Sequence, residues 1–389
     1  MMRRRVKRTV VAGLMLLLAV LPAGAEEIGV ILGRLLGQSD TAYVSNERYN
    51  SYANVYMFNT TQTFDFTMVD ASQRMSISPY RQPELGVGVG RGFIALSYSK
   101  SLDDMFAHGD TRNSQFTFNI IANRFGIQFF DRKVRGVSKI TSSSGFNMYK
   151  VGGYTGSDTD EPIEITGTPT SLTGRDYEGF SSRETGVDFY YVFNYKHFSY
   201  KAAYGYSTRQ NRSAGSVVAG LNYANLRSTL DLTADPFIDD VTYKQWQADP
   251  SKTFDYVACM TDTINVGYRK LSVKFGYSYN WAFAHDLVLN GTLLPMLNLR
   301  WTKIDSRYED YDLGSVVEHD YNRSLSLDLM GQASLQWNNG KMYAGLSAGF
   351  NTFRINRPSL KMSKVYGEAR LCVGVYFDTF VKKSGNPRQ

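Results

Sequence analysis

Histidine and acidic side chains are the most direct candidates for catalysis in this sequence. The 389 residues contain four histidines, and two of them directly precede an aspartate, in His285-Asp286 and His319-Asp320. A histidine oriented by a carboxylate is a common general base. Neighbours on a strand point to opposite faces, so neither pair is a preformed dyad. No histidine lies near a serine at a spacing that predicts base catalysis, and no catalytic residue is assigned.

Metal and cofactor sites are also poorly supported by residue spacing. Cys259 and Cys372 are isolated, and no histidine or cysteine pair has ligand spacing. The acidic segment Gly156–Glu161 has oxygen ligands suitable for Ca²⁺, but a solvated loop is the favoured interpretation. We therefore predict no metal and no cofactor. Cys259 and Cys372 form a disulfide only if two neighbouring strands bring them into register, and that question stays open at this stage.

The net charge of +7 comes mainly from the beginning of the chain. Five basic residues fall within the first eight positions, followed by an apolar run over 10–21 and the small residues Ala23-Gly24-Ala25. This pattern predicts a secretory signal, residues 1–25, cleaved after Ala25. The apolar run is shorter than the roughly 20 residues that span a bilayer, which argues against an uncleaved anchor. Removing five of the 43 basic residues leaves 38 against 36 acidic residues, so no nucleic-acid partner is predicted.

The rest of the chain alternates between apolar and polar residues with a period of two. In Gly186–Tyr195, and again in Leu271–Phe283 and Leu325–Gln336, one face is apolar and the other carries Gly, Ser, Asn and charge. Strands of about 9–14 residues with this pattern are typical of a transmembrane barrel, whereas soluble sandwiches and propellers use strands nearer 5 or 6 residues. The sequence predicts an all-β fold, a single transmembrane antiparallel β-barrel of about 12 strands, within a range of 10 to 14.

The predicted connections are of two kinds, short and long. Tight links are predicted at Arg91-Gly92, Ala122–Arg124, Lys196-His197, Arg269-Lys270 and Asn338–Gly340. Long loops are predicted at about 135–183, 227–254 and 303–321, and short periplasmic turns opposite long outer loops are the usual asymmetry. The predicted organisation is a periplasmic lead over 26–50, a barrel over 51–380 and a tail over 381–389. Segments 54–79 and 255–268 are uncertain wall strands.

The alternation also predicts which charged residues face the interior of the barrel. Both signs are present, so the interior either forms a polar path for a small solute or is filled by charges that pair with one another. The predicted lumen-lining charges are Asp188, Lys201, Arg209, Lys274, Asp328, Lys364, Glu368 and Arg370, with Arg132 on the same face.

Four short motifs resemble an uncharacterised protein family, a domain of unknown function of the DUF4421 type. They are Asp40–Val44, Ser78–Gly90, Arg212–Ser216, and Gly276–Trp281 with Leu294-Pro295-Met296, and they occur in the same order along nearly the whole mature chain. The resemblance implies an outer-membrane barrel from a Bacteroidota-type bacterium. It implies no activity and no functional residues. A final strand that ends before 381–389, rather than at an aromatic C-terminus, departs from outer-membrane barrels in general.

The functional expectation is an outer-membrane barrel that is not an enzyme. Two roles stay open, a filled structural or interaction barrel and a narrow solute conduit, and the alternative is a hydrolase acting at the barrel rim. The expected partners are outer-membrane lipid and the machinery that assembles barrels in that membrane.

Overall fold

A computed structural model describes residues 37–46, 51–68, 73–79, 83–106, 112–152, 167–205, 208–249, 252–257, 262–284, 286–310, 314–356 and 360–377. The predicted signal 1–25, the tail 381–389 and the acidic segment 156–161 lie outside the described residues. His108, His285 and Cys259 also lie outside them.

The described chain contains twenty strands and three short helices. The strands are β1 (Val44–Asn46), β2 (Ser51–Met68), β3 (Gln73–Pro79), β4 (Glu84–Arg91), β5 (Ile94–Ser101), β6 (Ser114–Ile121), β7 (Phe125–Arg135), β8 (Ser138–Ser144), β9 (Phe146–Gly152), β10 (Thr168–Thr170), β11 (Asp176–Tyr177), β12 (Phe180–Val192), β13 (Thr208–Gln210), β14 (Ala214–Asp231), β15 (Thr253–Val257), β16 (Thr263–Ala284), β17 (Leu287–Asp310), β18 (Gly314–Asn338), β19 (Met342–Asn356) and β20 (Leu360–Phe377). The helices are α1 (Leu102–Phe106), α2 (Tyr200–Tyr204) and α3 (Asp240–Ala248). Each of them is too short to cross a membrane.

Twelve strands form a closed antiparallel wall. Their order around the barrel is β2-β20-β19-β18-β17-β16-β14-β12-β7-β6-β5-β4, and β4 pairs with β2 to complete the circle. Closure leaves no unpaired strand edge in the wall, which is what a sheet surrounded by lipid requires. The predicted 12-strand antiparallel barrel is confirmed.

The outer surface of the wall carries a continuous set of exposed apolar side chains, the belt. Leu327 is 81% exposed and Phe275 is 60% exposed, whereas a water-soluble protein would bury most such side chains in its core. Between them along each strand lie buried polar residues of the lumen, such as Ser272 and Asn298. Other belt residues are Val187, Leu221, Val273, Leu293, Leu297, Leu346, Leu371 and Val373. An apolar exterior around a polar interior is the pattern of a membrane barrel.

Several wall strands are much longer than is needed to cross a membrane. Partway along them, the apolar side chains change from the inner face of the wall to the outer face. β16, β17 and β18 have 22, 24 and 25 residues, about twice the 9–11 residues that cross a bilayer. On β16, Val273 and Phe275 face outward, but nearer the start of the strand Ile264 and Val266 are buried inside the barrel. The inversion marks where the wall leaves the lipid, because an extramembrane barrel needs an apolar interior.

The two ends of the barrel differ, and we name them by their connections. The turn end carries the start of β2, the end of β20, and links such as Gly92-Phe93 and Asn339–Lys341. The loop end carries the connections that contain β3, α1, β8–β11 and α3. In barrels of this type the short turns face the periplasm.

The predicted hairpin at Lys196-His197 is wrong. After β12 the chain does not return as a wall strand over Phe198–Arg209; it forms α2 and β13 instead. Ser199 caps α2 by accepting a hydrogen bond from the backbone of Ala202 at 3.1 Å. Alternation misled because Tyr200, Ala202 and Tyr204 fit a period of two in the sequence, although they belong to a short helix within the lumen.

The predicted link at Arg269-Lys270 is also wrong, and so are the bounds of one long loop. Both residues lie within β16, where the apolar residues change from the inner to the outer face. In the sequence, this change of face interrupts the alternation as the end of one strand and the start of another would. For the same reason β17 and β18 occupy most of the predicted loop 303–321. The predicted loop 135–183 corresponds to the long connection between β7 and β12, which contains β8–β11 and ends slightly earlier than predicted, where β12 begins at Phe180.

Candidate functional site

The connection between β12 and β14, residues 193–213, folds into the lumen from the turn end, and we call it the plug. Its helix α2 is buried, and Phe198 and Tyr200 pack against Val192 of the wall. The plug also pairs with the beginning of the described chain, since β13 is hydrogen-bonded to β1. A barrel whose hairpin connection occupies its own lumen is closed by its own chain at this end.

Hydrogen bonds attach the plug to three wall strands. The Tyr200 hydroxyl donates to Gln332 Oε1 at 2.9 Å, and the Tyr204 hydroxyl donates to Asn290 Oδ1 at 2.7 Å. Ser334 Oγ donates to the carbonyl oxygen of Ala203 at 2.9 Å. These bonds reach β17 and β18, and Asn280 of β16 donates to the carbonyl oxygen of Ser199 at 2.8 Å.

Gln210 organises the base of the plug. Its side-chain oxygen accepts from the backbone nitrogen of Ser199 at 2.9 Å and from Asn280 Nδ2 at 2.9 Å. Its side-chain nitrogen donates to the carbonyl oxygens of His197 at 2.6 Å and Arg212 at 2.8 Å. A single buried amide therefore joins both limbs of the plug to the wall, and such buried bonds are costly to break.

Tyrosines fill the lumen beside the plug, opposite a glycine run on β4. Tyr52, Tyr56, Tyr343 and Tyr376 form one buried cluster. A Cβ atom at Gly86 would lie 2.2 Å from the Tyr56 ring, so only glycine leaves room for that ring at this position. The glycine run of the sequence thus serves interior packing.

Above the plug lies a central chamber of about 230 Å³. Its charged lining residues come from four wall strands, β7, β12, β16 and β20, and Tyr200 and Tyr204 of the plug contribute to its lining. The charged residues that line it are Arg132, Glu184, Asp188, Lys270, Lys274, Glu368 and Arg370.

Three ion pairs organise most of these charges. Lys274 Nζ lies 2.5 Å from Asp188, across the intervening strand β14. Lys364 Nζ lies 3.3 Å from Glu184 Oε2. The third pair joins Arg132 to a carboxylate oxygen of Glu368 at 3.8 Å. The structure therefore brings the predicted residues Asp188 and Lys274 together, and it gives Lys364 and Glu368 partners that the sequence did not identify as pairs.

Two other predicted lumen residues have different neighbours. Asp328 is buried and pairs with Arg300 at 2.5 Å, both side chains being 4% exposed. The Arg370 guanidinium lies over the Tyr56 ring, 3.7 Å from its centroid. Arg300 was recoverable from the sequence, because Leu297 and Leu299 on the belt place Arg300 on the inner face by alternation.

Lys201 and Arg209 do not lie on the wall, which corrects their predicted position. Lys201 belongs to α2 and is buried within the plug. Arg209 belongs to β13 and pairs with Asp286 at the turn end, at 2.8 Å. The predicted positions of both residues followed from the predicted wall strand after Lys196-His197. That segment forms the plug instead, so both residues lie in the plug.

Lys270 lines the chamber, yet sequence analysis missed it by placing a turn there. It is only 5% exposed. Its side chain makes no hydrogen bond or ion pair with the described residues, although it interacts electrostatically with Glu184 and Asp328. Those two carboxylates are bonded to Lys364 and Arg300 respectively.

At the loop end the lumen is filled by a large apolar cluster, the outer cluster. Phe64 and Phe66 of β2 contribute two of its rings, and Phe64 contacts Phe180 with ring centroids 4.7 Å apart. The loop-end connections add Ile140, Phe146, Leu172, Tyr177 and Phe237. The outer cluster therefore closes the second end of the lumen with residues from both the wall and its loops.

Two histidine and aspartate pairs form among the described residues, and neither joins sequence neighbours: His197 Nε2 lies 3.7 Å from Asp40 Oδ2, and the closer pair links two wall strands. His319 Nδ1 lies 2.5 Å from Asp305 Oδ1, because the two residues are directly opposite each other on β18 and β17. Lys303 also contacts Asp305, at 2.7 Å. The His319 side chain is half exposed. Within the described ranges, no group of three or more His, Cys, Asp or Glu side chains is arranged to hold a metal.

A closed antiparallel wall with an apolar belt and a polar, internally plugged lumen defines an integral β-barrel protein of the outer membrane. The family model described as a domain of unknown function, DUF4421, matches residues 38–377. The chain belongs to that family, as its motifs predicted.

Solved structures with a related shape include proteins of several activities. The outer membrane protease OmpT from Escherichia coli is 7% identical, with 84% of this chain and 97% of that chain covered and a TM-score of 0.41. The toluene transporter TodX of P. putida is 8% identical, with 85% and 91% covered and a TM-score of 0.27. Ail, the attachment invasion locus protein of Yersinia pestis, is 12% identical, with 64% and 96% covered and a TM-score of 0.21. None of these similarities transfers an activity to the chain.

No curated protein sequence is significantly similar to this chain.

Proposed function

We propose that this protein is a filled, non-enzymatic outer-membrane barrel that acts as a structural or interaction protein through its loop end. The observation that carries the proposal is the plug, whose bonds to Asn280, Asn290 and Gln332 span three wall strands. A solute conduit would need this segment to leave the lumen. Each of those bonds would then have to be replaced by water.

The outer cluster supports the same proposal from the other end. Its phenylalanines and tyrosines join the wall to β8, β9 and the segment around Phe237, so the loops are part of a packed core. Loops held in this way present a fixed surface, which suits recognition of a partner better than passage of a solute. The proposed surroundings are lipid around the belt and, during insertion, the barrel assembly machinery. The proposed export signal ends at Ala25.

Single-channel recording in a planar bilayer tests the closed barrel. The refolded protein is expected to give no ionic steps at any applied voltage. Steady steps from the unmodified protein would reject the proposal and support the narrow conduit.

A thiol reagent tests which segment closes the turn end. Cysteine is introduced at the chamber residue Ser347, with Cys259 and Cys372 replaced by serine, and labelling is compared with and without the plug. Replacing residues 195–212 by a short turn should make Cys at 347 react with a bulky polar maleimide, whereas it should stay protected when the plug is present. A control insertion at Asn339, in a turn outside the lumen, should leave it protected. Equal labelling of all three forms would show that the plug is not the closure.

The contact between His319 and Asp305 favours one second candidate, a hydrolase at the barrel rim. A histidine hydrogen-bonded to a carboxylate near the loop end is able to activate water. If this candidate is correct, the purified protein cleaves peptide or ester substrates and His319→Asn abolishes that cleavage. An equal rate for the protein and its His319→Asn variant would reject it.

A further inference from the structure

The central chamber contains a buried cation, Lys270, that has no bonded counter-ion among the described residues. Burying an ammonium group is costly unless it is paired or hydrogen-bonded. Lys274 forms an ion pair with Asp188, and Lys364 forms one with Glu184. Lys270, at 5% exposure, has no such bond with the described residues, and its side chain lines the chamber.

The charge of the lining agrees with this imbalance. Among the described residues that line the chamber, four are cationic and three are acidic. All three acids are engaged: Asp188 and Glu184 by lysines, and Glu368 by Arg132 and by the Tyr366 hydroxyl, which donates to it at 2.9 Å. None of these acids is bonded to Lys270, so the chamber can accommodate a negative charge placed beside Lys270.

We infer that the central chamber binds one small anion, carrying a carboxylate or a phosphate group, with Lys270 as its principal ligand. The chamber volume of about 230 Å³ lies just below the roughly 300–1,000 Å³ of pockets for drug-sized ligands, so a compact solute fits. The lining also offers polar donors to the rest of such a solute, including Gln128 and Asn222. The site lies between the plug and the outer cluster, so the anion is enclosed when the barrel is folded.

The rival arrangement is an internal one, in which water alone links Lys270 to a neighbouring acid. Asp328 Oδ2 is buried without a hydrogen-bond partner, and Asp328 interacts electrostatically with Lys270. A bridging water between the two would satisfy both groups and require no ligand. The experiment must therefore separate an anion from a solvated pair.

The full chain is refolded in detergent in the presence of inorganic phosphate, succinate, or sodium chloride at matched ionic strength, so that the plug closes over any ligand. Refolding is repeated over a series of ligand concentrations, and native mass spectrometry measures the fraction of chains that retain the ligand at each concentration. We expect one phosphate or one succinate per chain, and about a tenfold or greater loss of affinity in Lys270→Met, because a hydrogen bond to a charged group is lost. Lys270→Arg should retain most of the affinity. Lys303→Met, a change on the exposed outer face of the wall, is the matched control and should bind as the unmodified protein does.

Each outcome decides the inference. Binding of phosphate alone or of succinate alone supports it and identifies the anionic group, and binding of both defines a general anion site. Absence of binding for both probes overturns it, as does binding that Lys270→Met leaves unchanged. The inference extends the proposed function, and the two fail separately: the bilayer recordings decide whether the barrel is closed, and the titrations decide whether the chamber holds an anion.

Discussion

The two halves of the lumen have opposite chemistry although a single wall encloses both. Toward the turn end, the interior contains the plug, the tyrosine cluster and ion pairs such as Arg300 with Asp328. Toward the loop end, the same strands point Phe64, Ile264 and Val266 inward. This difference indicates where the membrane lies, because the outer surface of the wall is apolar only along the part whose inner surface is polar.

The two halves also differ in what holds them together. Burial of apolar surface stabilises the outer cluster, as it stabilises the core of any soluble protein. Ion pairs stabilise the polar half much less, because the cost of desolvating the buried charges offsets most of their attraction. Its stability depends on every buried group keeping its partner, and the following changes test that contrast.

A charge placed in the outer cluster should have the largest effect. Ile264→Asp is expected to lower the free energy of unfolding by roughly 5 kcal/mol or more, since losing a buried isoleucine costs about 2–5 kcal/mol and an unpaired buried charge costs a similar amount. Urea unfolding of the refolded barrel measures it. The neighbouring Asn265→Asp, on the outward face, should change the unfolding midpoint little. Similar losses from both would mean that no apolar core exists at the loop end.

The buried pair of Arg300 and Asp328 tests the polar half. Arg300→Met should cost about 3–5 kcal/mol of unfolding free energy, because Asp328 is then buried without its cation. Combining it with Asp328→Leu should restore most of that loss. The same urea titrations compare the single and double variants, and an equally unstable double variant would show that the pair itself, rather than the stranded charge, supplies the stability.

A charge on the belt tests the membrane boundary. Leu327→Arg should impair insertion, since a lipid-facing arginine near mid-depth costs about 2–4 kcal/mol. The fraction of folded protein in the outer membrane, measured by heat-modifiable migration on gels, reports it. Leu327→Ala should insert normally, and failure of both variants would point to packing rather than lipid contact at this position.

The smallest expected effect concerns the plug. Tyr200→Phe removes the hydrogen bond to Gln332 and should weaken the plug by about 1 kcal/mol. Amide hydrogen exchange of the peptide around α2 should accelerate about fivefold, while wall strands keep their protection. Tyr223→Phe, on the belt, is the control and should leave α2 unchanged. If exchange is the same in all three proteins, that bond does not hold the plug.

Sequence reasoning succeeded wherever alternation reports one buried face. The belt residues Val187, Phe275 and Leu327 lie on the apolar face of their patterns, and such segments predicted an antiparallel barrel of 10 to 14 strands. It failed where the environment departed from lipid outside and water inside. Lys270 was missed because a turn was predicted where the apolar face of β16 changes sides. Lys201 was placed on a wall strand, whereas it lies in the buried helix α2.

The fold class and the family could be predicted from the sequence alone, since period-two alternation and the four motifs are local properties of the chain. The residues that fill the barrel are identified only by the three-dimensional arrangement. The plug depends on bonds between residues far apart in sequence, such as Tyr204 with Asn290, and the Asp188 to Lys274 pair depends on the register of three strands. Alternation states which way a side chain points, but only the closed wall determines which side chain stands opposite.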